Sequence, residues 1–231
     1  MRLVLFDIDG TLVLTKGAGR RALGAALLRV YGTAGLIDGY DFRGKTDPRI
    51  VADLMGAAGL APEAIHAGLG DCFECYARGL VEEIGDGQCV TLLPGVADLV
   101  RRLDATEGVV LGLLTGNIEE GARIKLASTG LWPYFRTGAF GSDDGDRRRL
   151  PALAARRAHA LTGHAFRPED VLVIGDTPLD IECARAFGAV AVAVATGFHP
   201  YAELEAEKPD LVFESFAEFE TAAARLLGSI T

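Results

Sequence analysis

Cysteine is scarce in this sequence, and the few cysteines present do not form a recognisable metal site. The chain of 231 residues contains four cysteines, of which Cys72 and Cys75 form a single C-x-x-C pair. A structural zinc site usually requires a second pair of ligands, so we do not predict one. With so few cysteines and no basic and apolar leader before the first apolar run, the sequence predicts a reduced, cytoplasmic protein.

Long hydrophobic runs and an excess of positive charge are also missing. No apolar run reaches the roughly 18 residues that a membrane-spanning helix requires. The formal net charge is −9, whereas a nucleic-acid-binding surface must be basic. The sequence therefore predicts neither a membrane protein nor a nucleic-acid-binding protein. An anionic substrate would need a local cluster of positive charge or a metal ion.

Short apolar runs of strand length alternate with longer amphipathic stretches over most of the chain. This alternation predicts an α/β fold, in which helices cover a parallel sheet. The strand candidates are residues 3–6, 109–114, 171–174, 190–194 and 211–213. The helix candidates lie near residues 95–106, 119–130, 151–162, 179–187 and 216–228.

The alternation is interrupted between residues 15 and 89. Three stretches in this region have helical patterns, with no convincing strand between them: GRRALGAALLRVYG, DPRIVADLMGAAG and PEAIHAGLGDCFECYARGLVEEIG. We therefore predict an α/β core domain formed by residues 1–14 and 90–231, with residues 15–89 as a helical insert.

Polar residues follow three of the predicted strands. The first strand ends in DIDGT at residues 7–11, the second in TGN at residues 115–117, and the third in GDTPLD at residues 175–180. Each segment alone is typical of an ordinary turn. In doubly wound sheets, however, ligands bind outside the carboxyl ends of the strands, so three such segments at matching positions favour a functional site.

Four carboxylates would be crowded together at this edge of the sheet: Asp7, Asp9, Asp176 and Asp180. Like charges this close repel one another, and a divalent cation would compensate them. Hard oxygen ligands suit Mg²⁺, which keeps open positions for water and phosphate oxygens. Thr11 and Thr115 add hydroxyl donors, and Gly10 and Gly116 permit tight turns that direct backbone N–H groups at an anion.

These segments resemble the motifs of the haloacid dehalogenase-like superfamily of phosphatases. DIDGTL at residues 7–12 resembles the first motif, LTGN at 114–117 the second, and GDTPLD at 175–180 the fourth, in the same order along the chain. The helical insert is most similar to the cap domain of the phosphoglycolate phosphatase and β-phosphoglucomutase branch. The resemblance implies a Rossmann-like, doubly wound parallel sheet with an inserted α-helical cap domain.

The resemblance also implies separate roles for the aspartates. Asp7 would attack phosphorus and become an aspartyl phosphate, and Asp9 would exchange protons with the leaving group and the hydrolytic water. Mg²⁺ would be held by Asp7, the backbone carbonyl of Asp9 and Asp176, with Asp180 in support. The implied phosphate-binding residues are Gly10, Thr11, Thr115, Gly116 and Asn117.

The third motif departs from the family pattern, which usually offers a lysine that neutralises the phosphate. The chain reads SDDGDRRRLP at residues 142–151, so an arginine would replace the lysine. Counting back from Pro151 as in Lys-Pro-x-Pro gives Arg148, whereas the Asp-Arg-x-x-Leu-Pro form of some relatives gives Arg147. We favour Arg147, with Arg149 as a further candidate.

Substrate specificity is expected to lie in the cap. The stretch FRGKTDPR at residues 42–49 resembles the cap loop that reaches the substrate in this branch, and Lys45 could bind a second anionic group. Arg20 and Arg43 are weaker candidates for the same role. Asp47 and Pro48 also read as an ordinary helix start with solvated charges around it.

The sequence therefore predicts a Mg²⁺-dependent phosphatase that hydrolyses a small phosphorylated metabolite, as phosphoglycolate phosphatases do. We expect a monomer or a homodimer. The alternative is a phosphosugar mutase of the β-phosphoglucomutase kind, which shares the nucleophile, metal and cap. A more distant alternative is a non-catalytic binding module on the same scaffold.

Overall fold

The computed structural model describes residues 1–228. Its strands are β1 Arg2–Phe6, β2 Val13–Leu14, β3 Thr91–Leu92, β4 Val109–Thr115, β5 Thr137–Phe140, β6 Val171–Gly175, β7 Val190–Val194 and β8 Leu211–Phe213. Its α-helices are α1 Ala18–Tyr31, α2 Asp47–Ala57, α3 Pro62–Ile84, α4 Val96–Asp104, α5 Glu119–Ala127, α6 Leu150–Thr162, α7 Pro178–Phe187, α8 Tyr201–Ala206 and α9 Phe219–Gly228.

Six strands form one parallel sheet in the order β5-β4-β1-β6-β7-β8. The strand order changes direction at β1, which lies between β4 and β6, and such a switch point is where open α/β sheets bind their ligands. Phe6 is aligned with Leu113 on β4 and with Ile174 on β6. The three central strands therefore end at the same edge of the sheet, and the predicted doubly wound parallel sheet is confirmed.

Both faces of this sheet are buried, which explains why its strands read as continuous apolar runs. Val4 and Phe6 pack on one face with residues of α4, α5 and α9. Leu3 and Leu5 pack on the other face with residues of α6 and α7. Helices thus cover the two faces of β1. A polar side chain can therefore reach a ligand only from the carboxyl end of this strand.

The helices α1, α2 and α3 form a third hydrophobic cluster of their own. Leu27, Val51 and Leu80 are buried within it, and Ile118 joins it from the loop before α5. The antiparallel pair β2 and β3 lies where the chain leaves and re-enters the sheet region. The division into a core of residues 1–14 and 90–231 and a cap of residues 15–89 stays a prediction, and residues 229–231 of that range lie outside the described part.

The predicted strands and the three helices of the insert are confirmed, but several short elements escaped the sequence analysis. Strand β5 has the sequence TGAF, which is too short and too poor in large apolar residues to show a strand pattern. Strands β2 and β3 have two residues each, and α8 has six. These elements are stabilised by contacts with neighbouring elements, so the local sequence pattern does not predict them.

Within residues 1–228, no helix has both the length and the hydropathy that a membrane crossing requires. All four cysteines are free thiols.

Gly95 and Gly108 allow the close packing at the start of α4 to be tested. Gly95 and Gly108 both have positive φ, 74° and 79°. A Cβ on Gly95 would lie 1.6 Å from the carbonyl oxygen of Phe216, whereas a Cβ on Gly108 would meet nothing nearer than 4.0 Å. We expect Gly108→Ala to lower the free energy of unfolding by about 1 kcal/mol, from backbone strain alone.

Gly95→Ala must also displace the backbone at Phe216, so we expect it to cost about 3 kcal/mol or more. Urea unfolding of the two variants and the parent protein measures both values. Equal losses in the two variants would contradict the close packing of Gly95 against Phe216.

Candidate active site

Three buried carboxylates meet at the carboxyl edge of the sheet. Asp7 continues β1, with its backbone N–H bonded to the carbonyl oxygen of Ile174 at 2.9 Å, and Asp176 directly follows β6. Asp180 lies in the first turn of α7. One carboxylate oxygen from each aspartate lies within 4.8 Å of the other two. The parallel register of β1 and β6 is what brings Asp7 and Asp176 together.

The protein itself does not balance the charge of these carboxylates. Burial raises the pKa of Asp7 to about 6, and Arg147 offsets only part of this rise. Burial likewise raises the pKa of Asp176 well above its ordinary value, and repulsion from Asp180 and Asp7 raises it further. Buried, acceptor-only oxygens with uncompensated charge are the donor set that a hard divalent cation requires, so these residues fit such an ion.

Asp180 is already engaged by neighbouring protein groups. One of its oxygens accepts hydrogen bonds from the backbone N–H of Thr177 at 3.1 Å and from its hydroxyl at 2.7 Å, in a capping box at the start of α7. Its other oxygen accepts from Nη2 of Arg147 at 2.5 Å. Asp180 therefore supports the cluster, and Asp7 and Asp176 are better suited to bind a cation directly.

Arg147 is the arginine that enters the site. Its side chain is 8% exposed, and its Nη2 lies 3.2 Å from Oδ1 of Asp7. Burial alone would lower the pKa of Arg147, but Asp180 and Asp7 raise it above the ordinary value, so the guanidinium stays charged. Arg148 is 58% exposed and bonded to Asp146 at 2.9 Å, outside the pocket. Arg149 is likewise exposed.

The second predicted segment forms the wall beside these carboxylates. Thr115 is the last residue of β4 and is buried, and its hydroxyl oxygen accepts a hydrogen bond from Nδ2 of Asn117 at 2.8 Å. Gly116 lines the same pocket. In the first segment, Gly10 also lines the pocket, whereas the hydroxyl of Thr11 is buried and lies 3.5 Å from Oδ1 of Asp176.

Asp9 is held by a lysine that the sequence analysis did not identify as a site residue. Its Oδ2 accepts hydrogen bonds from Nζ of Lys125 at 2.6 Å and from Nδ2 of Asn117 at 2.8 Å. Lys125 also donates to Oδ1 of Asn117 at 2.6 Å. One signal was available, because Lys125 lies with Ala122 and Leu126 on the buried face of α5. A charged residue on a buried helix face needs a partner.

The helical insert closes the other side of the pocket, which has a volume of about 610 Å³. Lys45 lines it, with Nζ 4.1 Å from the ring centre of Tyr40. Arg43 is paired with Asp41 at 2.7 Å, and Arg20 stacks on the ring of Phe42. Arg20 and Arg43 line the same pocket as Lys45, and each of the three side chains is also engaged within the insert.

The insert is also bonded directly to the loops of the core that follow β4 and β5. The backbone N–H of Asp47 donates to the carbonyl oxygen of Gly116 at 2.7 Å, and the Asp47 carboxylate accepts from the N–H of Ile118 at 2.8 Å. The hydroxyl of Thr46 donates to the carbonyl oxygen of Gly145 at 2.8 Å. Burial raises the pKa of Asp47 to about 6. These bonds hold the stretch 45–47 against the loops that follow β4 and β5.

Comparison with known proteins identifies related chains. The sequence matches the family described as haloacid dehalogenase-like hydrolase over residues 4–185. It is 28% identical to the phosphoglycolate phosphatase of Synechococcus elongatus, over 98% of this chain and 99% of that protein. A hydrolase from Pseudomonas syringae has a similar fold (TM-score 0.73, 22% identity, 100% of both chains). CbbY from Rhodobacter sphaeroides in complex with phosphate also has a similar fold (TM-score 0.72, 22% identity, 94% of this chain and 96% of that one).

The raised pKa of Asp7 predicts an inverse dependence of stability on pH when no divalent cation is added. Between the ordinary value of 3.8 and about 6, the folded protein binds a proton at Asp7 that the unfolded chain has released. Asp7 therefore contributes a loss of stability that grows as the pH rises through this window, on the order of 2–3 kcal/mol in all.

The measurement is urea unfolding in EDTA at pH 4.5 and pH 7.5. We expect Asp7→Asn to be more stable than the parent protein at pH 7.5, with a much smaller difference at pH 4.5. The exposed Asp104→Asn serves as the control and should show no such change. A difference for Asp7→Asn that does not vary with pH would contradict the raised pKa.

Proposed function

Since the chain belongs to the haloacid dehalogenase-like hydrolase family and is a phosphatase, we propose that it hydrolyses a small phosphate monoester with Asp7 as nucleophile and Mg²⁺ as cofactor. One observation carries the proposal: the Asp7 carboxylate lies beside Asp176 and the charged side chain of Arg147 at the switch point of the sheet. A nucleophile, an anion-binding cation and a cation-binding carboxylate are thus within reach of one phosphoryl group.

The proposed reaction has two displacements at phosphorus. A carboxylate oxygen of Asp7 attacks the phosphoryl group, and the bond from phosphorus to the ester oxygen breaks. Water then attacks the phosphorus of the aspartyl phosphate, which releases inorganic phosphate and regenerates Asp7. Arg147 is placed to bind phosphoryl oxygens, because its Nη2 lies 3.2 Å from the attacking carboxylate. The hydroxyl of Thr115 and the N–H groups of Gly116 and Asn117 would complete this binding.

Asp9 is the proposed acid and base of this reaction. Its side chain is 43% exposed and lines the pocket two residues after the nucleophile, on the same loop. In the first displacement it would protonate the departing alkoxide, and in the second it would remove a proton from the attacking water. Both transfers use the same carboxyl group, so Asp9 returns to its starting state after each turnover.

Asp7, Asp176 and the backbone carbonyl of Asp9 would hold the Mg²⁺ ion. When bound, it neutralises charge on the carboxylates and on the phosphoryl oxygens, so that an anionic ester can approach an anionic nucleophile. Asp180, with both oxygens bonded to Thr177 and Arg147, keeps the guanidinium and the start of α7 in place. The specific choice of Mg²⁺ rests on the hard oxygen donors of the site.

Residues 15–89 are proposed to act as the cap that encloses the substrate. Lys45 offers a positive charge at the part of the pocket wall that the insert forms, and its ammonium group would suit a second anionic group of the substrate. Such a substrate resembles 2-phosphoglycolate, in which a carboxylate accompanies the phosphate. The cytoplasmic location and the monomeric or dimeric state stay predictions.

The function is tested by phosphate release from a panel of small esters, including 2-phosphoglycolate and β-glucose 1-phosphate, with Mg²⁺ and with EDTA. We expect release that depends on Mg²⁺ and is lost by at least about 10³-fold in Asp7→Asn, since the nucleophile is absent. Asp104→Asn is the matched control. Isomerisation of glucose 1-phosphate without release would instead favour a mutase, and failure of both reactions would favour a binding module.

The arginine assignment gives a second test with its own control. Arg147→Ala removes the cation that pairs with Asp7 and Asp180, so we expect kcat/KM to fall by about 10²–10³-fold. Arg148→Ala removes a neighbouring arginine that is exposed and outside the pocket, and we expect a change of less than about 2-fold. Steady-state kinetics on one ester compares the two variants. A large loss in Arg148→Ala with a small one in Arg147→Ala would reverse the assignment.

A further inference from the structure

We propose that Lys125 is a positioning residue, which together with Asn117 holds the Asp9 carboxylate in the orientation for proton transfer to the leaving group. The proposal rests on the proposed function, in which Asp9 is the acid and base. Its starting point is that Lys125 bonds at 2.6 Å both to Oδ2 of Asp9 and to Oδ1 of Asn117.

The burial of the charged Lys125 side chain needs an explanation. Its side chain is 5% exposed, and a lysine ammonium group is rarely removed from water unless it is paired. Asp9, by contrast, keeps 43% of its side chain exposed at the pocket. The buried ammonium group of Lys125 is thus paired with a carboxylate that remains accessible from the pocket. The buried Asp47 also lies within electrostatic reach of Lys125, but the hydrogen bonds of the ammonium group go to Asp9 and Asn117.

The two carboxylate oxygens of Asp9 differ in their hydrogen-bond partners. Lys125 and Asn117 both bond to Oδ2. Within residues 1–228, no side chain donates a hydrogen bond to Oδ1 of Asp9. One oxygen is therefore anchored, and the other stays available to carry a proton and exchange it with a ligand in the pocket.

Asn117 extends the arrangement to the phosphate side of the site. Its Oδ1 accepts from Lys125, which orients the amide so that Nδ2 donates both to Asp9 and to Thr115, each at 2.8 Å. The orientation of the acid is thereby linked to the hydroxyl proposed to bind the phosphoryl group. Removing the ammonium group of Lys125 would leave Asp9 and Asn117 held only by the two hydrogen bonds of Nδ2, so both side chains could rotate more readily.

The two buried cations of the site have different partners. Arg147 lies next to Asp7 and Asp180, on the nucleophile side. Lys125 lies next to Asp9, the residue proposed to protonate the departing ester oxygen. Loss of Lys125 should therefore affect protonation of the leaving group much more than attack on phosphorus.

The leaving group provides the test. An alkyl phosphate releases a strongly basic alkoxide that requires a proton, whereas p-nitrophenyl phosphate releases a stabilised phenolate that does not. For Lys125→Met with Mg²⁺ present, we expect kcat/KM to fall by about 10²-fold on an alkyl ester such as 2-phosphoglycolate. On p-nitrophenyl phosphate we expect a fall of less than about 5-fold. The ratio kcat/KM is used because it reports the steps up to departure of the leaving group.

Three variants serve as controls. Arg123→Met alters an exposed residue of the same helix and should leave both substrates unaffected. Lys125→Arg keeps a cation and should restore part of the activity on the alkyl ester. Asp9→Asn should show the same preference for p-nitrophenyl phosphate as Lys125→Met, with a larger loss on the alkyl ester. If Lys125→Met does not fold, Lys125→Gln is measured in the same way.

Equal losses on the two esters, or no loss on either, would overturn the role of Lys125 and leave the phosphatase proposal intact. An increase in alkyl ester hydrolysis would also overturn it, because it would mean that Lys125 holds Asp9 in an unproductive orientation. A parent enzyme that hydrolyses neither ester would overturn the proposed function, and the role of Lys125 with it.

Discussion

The repulsion among carboxylates at one edge of the sheet is the constraint on which the rest of this site depends. Asp7 and Asp176 follow neighbouring parallel strands, so the register of the sheet forces them together in a buried place. Burial then raises the pKa of both. The charged groups nearby can be understood as responses to this: Arg147 pairs with Asp7, and the capping box of α7 fixes Asp180. The carboxylates of such a site can bind a cation, and the guanidinium group beside them can bind an anion.

The sequence was sufficient to predict the sheet and the polar segments at its carboxyl edge, because both depend on local sequence patterns. Four consecutive apolar residues at positions 3–6 indicate a strand covered on both faces, and the polar segment that follows must then lie at a strand end. Strand β5 was missed because TGAF has no such run and forms by pairing with β4. Lys125 was missed for a different reason. It is separated from Asp9 by 116 residues, and no local pattern states that α5 packs beside the first loop.

The loop that follows β4 serves two purposes in this fold. Its residues Thr115 and Asn117 line the pocket, and its backbone at Gly116 and Ile118 binds Asp47 of the insert. A shift of this loop would therefore disturb the proposed phosphate-binding groups and the seat of the insert together. Because Asn117 is also bonded to Lys125, the proposed acid Asp9, the proposed phosphate-binding groups and the contact with the insert meet in a few adjacent residues.

The contact between Gly116 and Lys45 has a consequence for how new substrates could be accommodated. A Cβ on Gly116 would lie 2.0 Å from the carbonyl oxygen of Lys45, so the two backbones touch and neither can move far. The side chain of Lys45 is not part of that contact and extends along the ring of Tyr40 in the pocket. The backbone path is thus fixed while the side chain is exchangeable. Position 45 is accordingly a suitable place to redesign substrate preference, and position 116 is one that a mutational library should leave alone.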